Sequence, residues 1–393
     1  MNGPGILAQI GERDGCALWR VLQPFAALQA IGYPAEWDFK DAPDDGRTPE
    51  SVRQYRHSVK LAAVATRMDA VLLPRQSWHM VDKPMEVNWF RALHNAGKCI
   101  IYEVDDDMFS EGFAKRLMLL HNHTRAEADE RRMCIFDTLK RCDGVTVSSQ
   151  RLATTVREFT DKPVVVVPNA IDIAWWRRVQ RLGHKITPGL TIGWTGGSRP
   201  DRDIEQMVIA WGRIAARFPE VHFLVQGYQP DIIVNSVPAD RLTLLPWMPL
   251  EEYPLGVANI DIGCCPLSDS AFNRAKTPIK SWEYAVSGAA VVASPTIYKQ
   301  VITPGLDGYI CETADEWETA LAGLVMDADL RRRMNQWLLY KVERQHSLEG
   351  NLWRWPAAWA EIVDHFRAHR PILLPIREFI SGTVADWGGG LRT

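Results

Sequence analysis

Residues 273–294 read NRAKTPIKSWEYAVSGAAVVAS and combine a charged segment with an apolar one. Three cations, Arg274, Lys276 and Lys280, come before the single carboxylate of Glu283, and small residues lead from there to the apolar run AVVA. A short, continuous run of this kind indicates a strand buried on both faces, as in a parallel sheet. The stretch therefore predicts a helix followed by a strand, with a charged entrance to the helix.

Length and composition limit the class of protein. The chain has 393 residues, 46% hydrophobic and 24% charged, which suits two globular domains of roughly 150–200 residues. Its formal net charge of −3 gives no general attraction to nucleic acid or anionic membranes. Seven scattered cysteines without a C-x-x-C pair indicate reduced thiols, not a disulfide framework or zinc site. Neither a signal peptide nor an apolar run of ~18–20 residues is apparent, so we expect a cytoplasmic protein without a transmembrane segment.

Short apolar runs alternate with amphipathic stretches along the chain. The first half is predicted to contain strands at 70–74, 99–104, 144–148 and 164–167, and helices at 52–68 and 86–96. The second half is predicted to contain strands at 190–194, 222–226, 242–245, 260–265 and 290–293, and helices at 204–217 and 281–287. This alternation predicts two open α/β domains, each with a parallel sheet.

The two series meet in a basic segment that contains tryptophan. We place an N-terminal domain at residues 1–172, a linker at 173–188 and a C-terminal domain at 189–349. A final helix is predicted at about 350–370, because apolar residues recur there at helical spacing: Trp359, Ile362, Val363 and Phe366. Residues 371–393, with two prolines and three consecutive glycines, are predicted to be a loosely ordered extension.

A glycine-rich turn opens the C-terminal domain. The sequence GWTGGS follows its first predicted strand, and Gly196, Gly197 and Ser198 would let a ligand approach the backbone. Exposed N–H groups at such a turn favour an anion, and Arg199 and Arg202 add positive charge beside it. A tight turn with solvated arginines is the alternative interpretation.

The charged entrance follows a predicted strand, at the edge where open α/β sheets bind ligands. Asn273, Lys276 and Lys280 could hold a diphosphate, and Glu283 could accept hydrogen bonds from the paired hydroxyls of ribose. A proline at position 278 disfavours helix before it, so only Lys280 and Glu283 are expected to share a helical face. A solvated salt bridge is the alternative. Together with the glycine turn, the cluster predicts a nucleotide site.

The chain resembles GT-B glycosyltransferases of the retaining, family-4-like type over roughly residues 15–365. KSWEYAVSGAAVVAS resembles the family segment whose glutamate holds the donor ribose, and Glu283 occupies that position. GWTGGSRPDRD resembles the glycine-rich first loop, PNAIDIAWW the segment leading into the linker, and GLDGYIC a later strand. The resemblance implies two Rossmann-like domains facing across a cleft, with the C-terminal helix crossing back to the N-terminal domain.

The resemblance also implies a reaction. A sugar would pass from a nucleotide-diphosphate sugar, UDP- or GDP-linked, with retention of configuration and without a metal or other cofactor. Arg202, Lys276 and Lys280 would neutralise the departing diphosphate, while the main chain near Trp247 and Met248 would flank the base. Three classes of acceptor stay open: a saccharide, a protein or a modified nucleic acid.

One position departs from the family pattern. The family often carries Glu-x7-Glu, whereas Ala275 stands eight residues before Glu283. Other residues would then hold the donor sugar, with Asn273 and Lys276 as candidates. Two alternatives belong to other functional classes: a non-catalytic relic that binds a nucleotide or sugar, and an epimerase that acts on a nucleotide sugar.

Acidic residues end a predicted strand of the N-terminal domain. The segment GKCIIYEVDDDMF places Glu103, Asp105 and Asp106 at the sheet edge, as candidates to line the cleft. Arg20 and the VLQP that follows it resemble the family's opening segment, Y-R-x-x-x-P, which approaches the acceptor side. Asp105 and Asp107 also form a D-x-D, which in the other major glycosyltransferase fold would hold Mn²⁺ or Mg²⁺, so a metal-dependent transferase is a further alternative.

Overall fold

The computed structural model describes residues 3–10, 15–39, 67–74 and 84–369. The chain divides into two compact units. The first unit comprises Met1–Lys115, His123–Pro168 and Leu352–Thr393, and the second comprises Arg116–Asn122 and Asn169–Asn351. The segment expected to be a linker, 173–188, lies within the second unit and begins with a helix, Ile173–Gln180.

The first unit is built on a parallel six-stranded sheet with the order β2-β1-β3-β4-β5-β6. Its strands are β1 Ile6–Ile10, β2 Ala35–Phe39, β3 Ala70–Pro74, β4 Cys99–Val104, β5 Gly144–Val147 and β6 Val164–Val166. The central strands β3 and β4 are buried along their whole length, as their continuous apolar runs predict.

The second unit has a parallel six-stranded sheet of its own, with the order β12-β11-β10-β7-β8-β9. Its strands are β7 Thr191–Gly196, β8 His222–Gly227, β9 Leu242–Leu245, β10 Ile262–Cys265, β11 Ala290–Ala293 and β12 Tyr309–Ile310. Three large indoles are fully buried in the core of this unit: Trp194, Trp211 and Trp317.

Helices connect the strands of both sheets. In chain order they are α1 Gly15–Ala17, α2 Gln23–Ala30, α3 Pro84–Asn95, α4 Glu111–His121, α5 Arg125–Arg141, α6 Gln150–Arg157, α7 Ile173–Gln180, α8 Glu205–Arg217, α9 Asp231–Val234, α10 Tyr253–Val257, α11 Ala271–Arg274, α12 Ile279–Val286, α13 Pro295–Tyr298, α14 Ala314–Met326, α15 Ala328–Gln345, α16 Leu348–Asn351 and α17 Arg354–His369. A π-helix, Leu18–Leu22, and two 3₁₀ turns, Asp201–Asp203 and Ala239–Arg241, complete the set that the structure describes.

The predicted α/β class is confirmed, and each predicted strand lies within two residues of an observed one. Strands β1 and β2 were not predicted, because Gln9 interrupts the apolar run ILAQI and AEWDF alternates polar and apolar residues. The predicted helix at 52–68 falls outside the described residues except for its last two positions. The predicted extension at 371–393 also lies outside them.

The last helix, α17, packs against the first sheet. Trp359, Ile362, Val363 and Phe366 are all buried, as their spacing predicts. The approach is close at Gly144 in β5, where an added Cβ would lie 2.4 Å from Ile362 Cγ2. A glycine at this point therefore lets the C-terminal helix reach the sheet of the first unit.

His346 is expected to make the folded state less stable in acid. Burial, and to a lesser extent the charge of Lys341, lowers the pKa of His346 to about 4. A histidine in the unfolded chain titrates near pH ~6.5, so unfolding takes up a proton between these two values. The stabilisation is complete above pH ~6.5 and is lost as the pH falls towards ~4, at up to about 1.4 kcal/mol per pH unit.

Chemical denaturation of His346→Phe across this pH range tests the effect. The His346 ring stacks on Trp282 with centroids 4.3 Å apart, and phenylalanine keeps a ring there while removing the titrating nitrogens. The variant should lose stability less steeply with acid than the wild type. A slope equal to that of the wild type would contradict the assignment. Replacement of the exposed His184 by glutamine is the matched control.

Candidate functional site

The predicted nucleotide site lies at the carboxyl edge of the second sheet. Strand β7 has β8 on one side and β10 on the other, so β7 and β10 flank the switch point at which open α/β sheets bind ligands. The loops after these strands are linked, because Arg199 Nη1 donates to the Pro266 carbonyl at 3.2 Å. The Arg199 guanidinium also lies 5.1 Å from the centre of the Trp194 ring. These contacts tie Arg199 to protein groups.

The glycine turn begins later than its sequence indicates. Strand β7 extends to Gly196, so Gly193 lies within the strand, where an added Cβ would be 2.4 Å from Ile260 Cγ1. Gly196 is buried beside Gly227, whose φ is +94° and whose added Cβ would be 2.6 Å from the Gly196 carbonyl oxygen. Only glycine combines this φ with such an approach. The turn open to a ligand is therefore residues 197–200.

A buried carboxylate holds the segment after this turn. Asp203 is 5% exposed, and its Oδ1 accepts hydrogen bonds from the Ser268 hydroxyl and, at 3.1 Å, from Asn273 Nδ2. Asn273 Nδ2 also donates to the Ser268 carbonyl at 3.0 Å. The side-chain amide of Asn273, which was predicted to contact the donor, thus donates its hydrogen bonds to groups of the protein. Arg202, in contrast, is exposed in its 3₁₀ turn.

The two lysines of the charged entrance have different surroundings. Helix α12 begins after Lys276 and contains Lys280 in its first turn, as the sequence predicts. Lys276 Nζ lies 4.7 Å from the centre of the Phe272 ring. Lys280 Nζ donates to the Tyr253 hydroxyl at 2.5 Å and to Glu283 Oε2 at 2.9 Å, and 28% of its side chain is exposed. Lys280 can therefore reach both the protein network and a ligand.

Glu283 is the second buried carboxylate described at this site, with 1% exposure. Its Oε2 also accepts a hydrogen bond from the Tyr253 hydroxyl at 2.8 Å, while the described residues place no hydrogen bond on Oε1. Burial, and then the charge of Glu283, raises the pKa of Tyr253 well above its usual range, which keeps the hydroxyl protonated. The predicted pair of Lys280 and Glu283 is thus a network of three residues.

An exposed indole faces the glycine turn. Trp247 follows β9, is 69% exposed, and would contact a Cβ on Gly197 at 3.5 Å through Cη2. Met248 is turned inwards, and its Sδ accepts a hydrogen bond from Gln226 Nε2 at 3.1 Å. An exposed aromatic ring beside a glycine turn suits stacking on a flat ligand such as a nucleobase. The main chain near Trp247 and Met248 is predicted to flank the base, and the structure also presents the Trp247 side chain there.

Sequence reasoning missed three residues behind the site. The Thr195 backbone N–H donates to the Tyr284 hydroxyl at 3.0 Å, and Thr195 Oγ1 lies 2.9 Å from the Tyr253 hydroxyl. Tyr284 could have been noticed, because it directly follows Glu283. No local pattern marks Tyr253, which precedes Glu283 by 30 positions.

In the first unit, Arg20 and Glu103 form a buried ion pair. Arg20 Nε lies 2.8 Å from Glu103 Oε1, and the two residues are 1% and 2% exposed. Arg20 Nη1 also donates to the Val167 carbonyl at 2.6 Å, and the Thr146 hydroxyl donates to Glu103 Oε2 at 2.6 Å. Both residues were predicted to face an acceptor or the cleft. The structure instead places them in the core, paired with each other.

The three aspartates after β4 are not equivalent. Asp105 and Asp106 are half-buried, whereas Asp107 is buried. Asp107 Oδ1 accepts hydrogen bonds from the backbone N–H groups of Phe109, at 3.3 Å, and Ser110, at 3.1 Å, which shapes the entry to α4. Within the described ranges, no three His, Cys, Asp or Glu side chains are grouped so that they could hold a metal ion.

Solved structures identify the architecture of the two sheets. A sucrose-phosphate synthase from Thermosynechococcus elongatus matches with a TM-score of 0.60 over 92% of this chain and 99% of that chain, at 14% identity. The chain has the GT-B fold. HepE of Anabaena, solved in complex with UDP-glucose, gives a TM-score of 0.59 over 93% of this GT-B chain and all of its own, at 13% identity.

Comparison of sequences gives a match over part of the chain. No family model matches the chain. TuaH of Bacillus subtilis (strain 168), a proposed teichuronic acid biosynthesis glycosyltransferase, is 26% identical over 208 residues, which is 50% of this GT-B chain and 50% of TuaH. The chain thus spans about half the length of the curated relative it matches. No helix in the described part of the chain is long and apolar enough to cross a membrane.

Proposed function

We propose that this GT-B protein is a glycosyltransferase that moves a sugar from a UDP- or GDP-sugar to a saccharide, protein or modified nucleic acid. The observation that carries the proposal is the buried Glu283, held by Lys280 and Tyr253 at the carboxyl edge of the second sheet. The relatives support it, since HepE was solved with UDP-glucose and the name of TuaH describes a glycosyltransferase.

Each part of the donor would meet a different group of this unit. The Trp247 indole stacks on the base, and Glu283 Oε1 accepts a hydrogen bond from a ribose hydroxyl. The backbone N–H groups of residues 197–200 and the Lys280 ammonium hold the diphosphate. Arg202 and Lys276 would add positive charge, because Arg202 closely follows the turn at 197–200 and Lys276 closely precedes Lys280 in the sequence. Because the diphosphate gains negative charge as it departs, fixed cations around it lower the barrier.

We further propose that transfer retains configuration and needs no metal or other cofactor. The bond between the sugar and the diphosphate breaks as the acceptor hydroxyl forms its bond on the same face. The proton of that hydroxyl passes to the departing phosphate oxygen. Cations of this chain would neutralise the negative charge of the departing diphosphate, as the metal ion does in metal-dependent transferases. The metal-dependent alternative would use Asp105 and Asp107, although Asp107 Oδ1 already accepts two backbone hydrogen bonds.

Nucleotide binding is expected to depend on Lys280 and Glu283 and to persist in EDTA. Thermal melting with UDP, GDP, ADP and CMP, each with and without EDTA, identifies the nucleotide, because a ligand of the folded state raises the melting temperature. Calorimetry on Lys280→Ala and Glu283→Gln should then show a dissociation constant raised roughly 10–100-fold, as loss of a charge-assisted hydrogen bond implies. Replacement of the exposed Lys299 by alanine is the matched control.

The same measurements separate the alternatives. Stabilisation that requires Mn²⁺ and is lost in Asp105→Ala would establish the metal-dependent transferase. Binding of a nucleotide sugar without turnover on any acceptor would favour the relic, for which Ala275 in place of the family's first glutamate is the motive. Consumption of the nucleotide sugar without an acceptor would indicate the epimerase. Absence of any nucleotide binding would contradict the proposal.

A further inference from the structure

We propose that Tyr253 is a positioning residue of the donor site. Its hydroxyl donates a hydrogen bond to Oε2 of Glu283, so that Oε2 is occupied by the protein and Oε1 is left to bind the ligand. The inference rests on the proposed function, in which Glu283 holds a ribose. Tyr253 begins the short helix α10, and both of its partners on α12 lie at least 27 positions further along the chain. The contact is therefore made by the tertiary fold and not by local geometry.

A count of protons gives the direction of each hydrogen bond. The Tyr253 hydroxyl has one proton, which it donates to Glu283 Oε2 at 2.8 Å. Its oxygen then accepts from Lys280 Nζ at 2.5 Å and from the Thr195 hydroxyl at 2.9 Å. Both lone pairs and the proton are thus in use. The hydroxyl cannot turn towards a ligand without breaking one of these bonds.

The tyrosine itself is held on two further sides. The Trp176 and Tyr253 rings form a T-shaped pair, with an interplanar angle of 85° and centroids 5.8 Å apart. Gln226, only 1% exposed, donates through Nε2 to the Tyr253 carbonyl at 3.2 Å. Restricted motion of the ring fixes the position of the hydroxyl before a ligand arrives, which is the condition for a preorganised site.

The network also connects the carboxylate to the glycine turn. Thr195 is the residue before Gly196 at the end of β7, and the turn that would hold the diphosphate follows directly. Tyr253 therefore joins the two halves of the site, the ribose side at Glu283 and the diphosphate side after β7. Loss of the Tyr253 hydroxyl should mainly weaken binding of the ribose, because its single proton is donated to Glu283 on that side of the site.

Calorimetry with paired ligands tests the assignment. The probes are UDP and GDP, each compared with its 2′,3′-dideoxy form, which lacks both ribose hydroxyls. The intact chain should prefer the ribonucleotide that it binds by roughly 10-fold or more. In Tyr253→Phe, affinity for that ribonucleotide should fall roughly 5–10-fold while affinity for the dideoxy form changes less than about 2-fold. If the role of Tyr253 were purely structural, Tyr253→Phe would lower the affinity for both ligands by the same factor.

Two further variants sharpen the test. Tyr284→Phe removes a neighbouring buried hydroxyl that bonds Thr195 and not Glu283, so any loss should fall equally on both ligands. In a Glu283→Gln background, Tyr253→Phe should no longer alter the preference for the ribonucleotide, because coupled residues are not additive. If Tyr253→Phe keeps the full preference for the ribonucleotide over its dideoxy form, this inference is overturned and the proposed function is not. A wild-type protein that binds neither ribonucleotide would overturn the proposed function and this inference with it.

Discussion

Replacement of Glu103 by alanine is expected to lower the free energy of unfolding by about 3–5 kcal/mol. Glu103 and Arg20 are 2% and 1% exposed and pair at 2.8 Å within the first unit. Removing the carboxylate leaves the Arg20 guanidinium buried and charged, since an arginine cannot release its proton in a protein. The Thr146 hydroxyl loses its acceptor in the same substitution.

Removal of the other partner should cost less. Burial raises the pKa of Glu103, and Arg20 works against that rise. In Arg20→Ala the largest opposing influence is gone and only the Thr146 hydrogen bond still lowers the pKa, so Glu103 can more readily become neutral by taking up a proton. A carboxyl group whose folded pKa is raised adds stability at low pH and loses it as the pH rises through that pKa. Arg20→Ala should therefore recover part of its lost stability in mild acid, whereas Glu103→Ala should not.

Chemical denaturation at pH 7 and pH 5 checks both statements. The double variant Arg20→Met, Glu103→Leu should be more stable than the sum of the two single losses implies, because no charge is left buried. The exposed pair of Arg213 and Asp315 gives the control, and Asp315→Ala should cost less than about 1 kcal/mol. A Glu103→Ala protein within 1 kcal/mol of the wild type would refute the buried-charge interpretation.

The same ion pair shows where sequence reasoning ends. The local context of Arg20 indicates an acceptor-side residue, but its partner in the structure, Glu103, lies 83 positions away. Asn273 was assigned to the donor on similar grounds, and its partner Asp203 is 70 positions away. Local patterns do not contain such pairings, since the fold alone decides which distant side chains meet.

Features set by short-range periodicity were predicted well. The strands β3, β4 and β11 have the predicted bounds, because continuous apolar runs mark strands with both faces covered. The edge strand β9 also has the predicted bounds, although none of its residues is buried. Lys280 and Glu283 share a helical turn, since a spacing of three brings side chains together. The third member of that network, Tyr253, has no such spacing and could be found only from the structure.

Replacement of Gly263 by alanine is the second substitution with a large expected effect. Gly263 lies in β10, and an added Cβ would be 2.3 Å from Tyr284 Cγ and 2.4 Å from its Cδ2. Tyr284 is fully buried, so its ring has no free space to enter. We expect the free energy of unfolding to fall by about 3 kcal/mol, the upper part of the range for overpacked cores.

The sign of this effect is itself informative. Backbone entropy alone favours alanine over glycine within a strand by roughly 0.5–1 kcal/mol. A loss of stability therefore measures contact with the ring and not strand propensity. Gly323, in helix α14, is the matched control, because nothing lies within 4 Å of a Cβ added there. Gly323→Ala should raise stability by about 0.5–1 kcal/mol.

The consequence for the site follows from what the ring holds. The Tyr284 hydroxyl accepts the Thr195 N–H at 3.0 Å, and Tyr284 is the neighbour of Glu283 on α12. A ring displaced from β10 moves both sides of the nucleotide site, so Gly263→Ala should weaken ribonucleotide and dideoxynucleotide binding together. In a Tyr284→Leu background the smaller side chain leaves room for the methyl group, and the added cost of Gly263→Ala should fall below about 1 kcal/mol. An equal cost in both backgrounds would show that the alanine acts elsewhere.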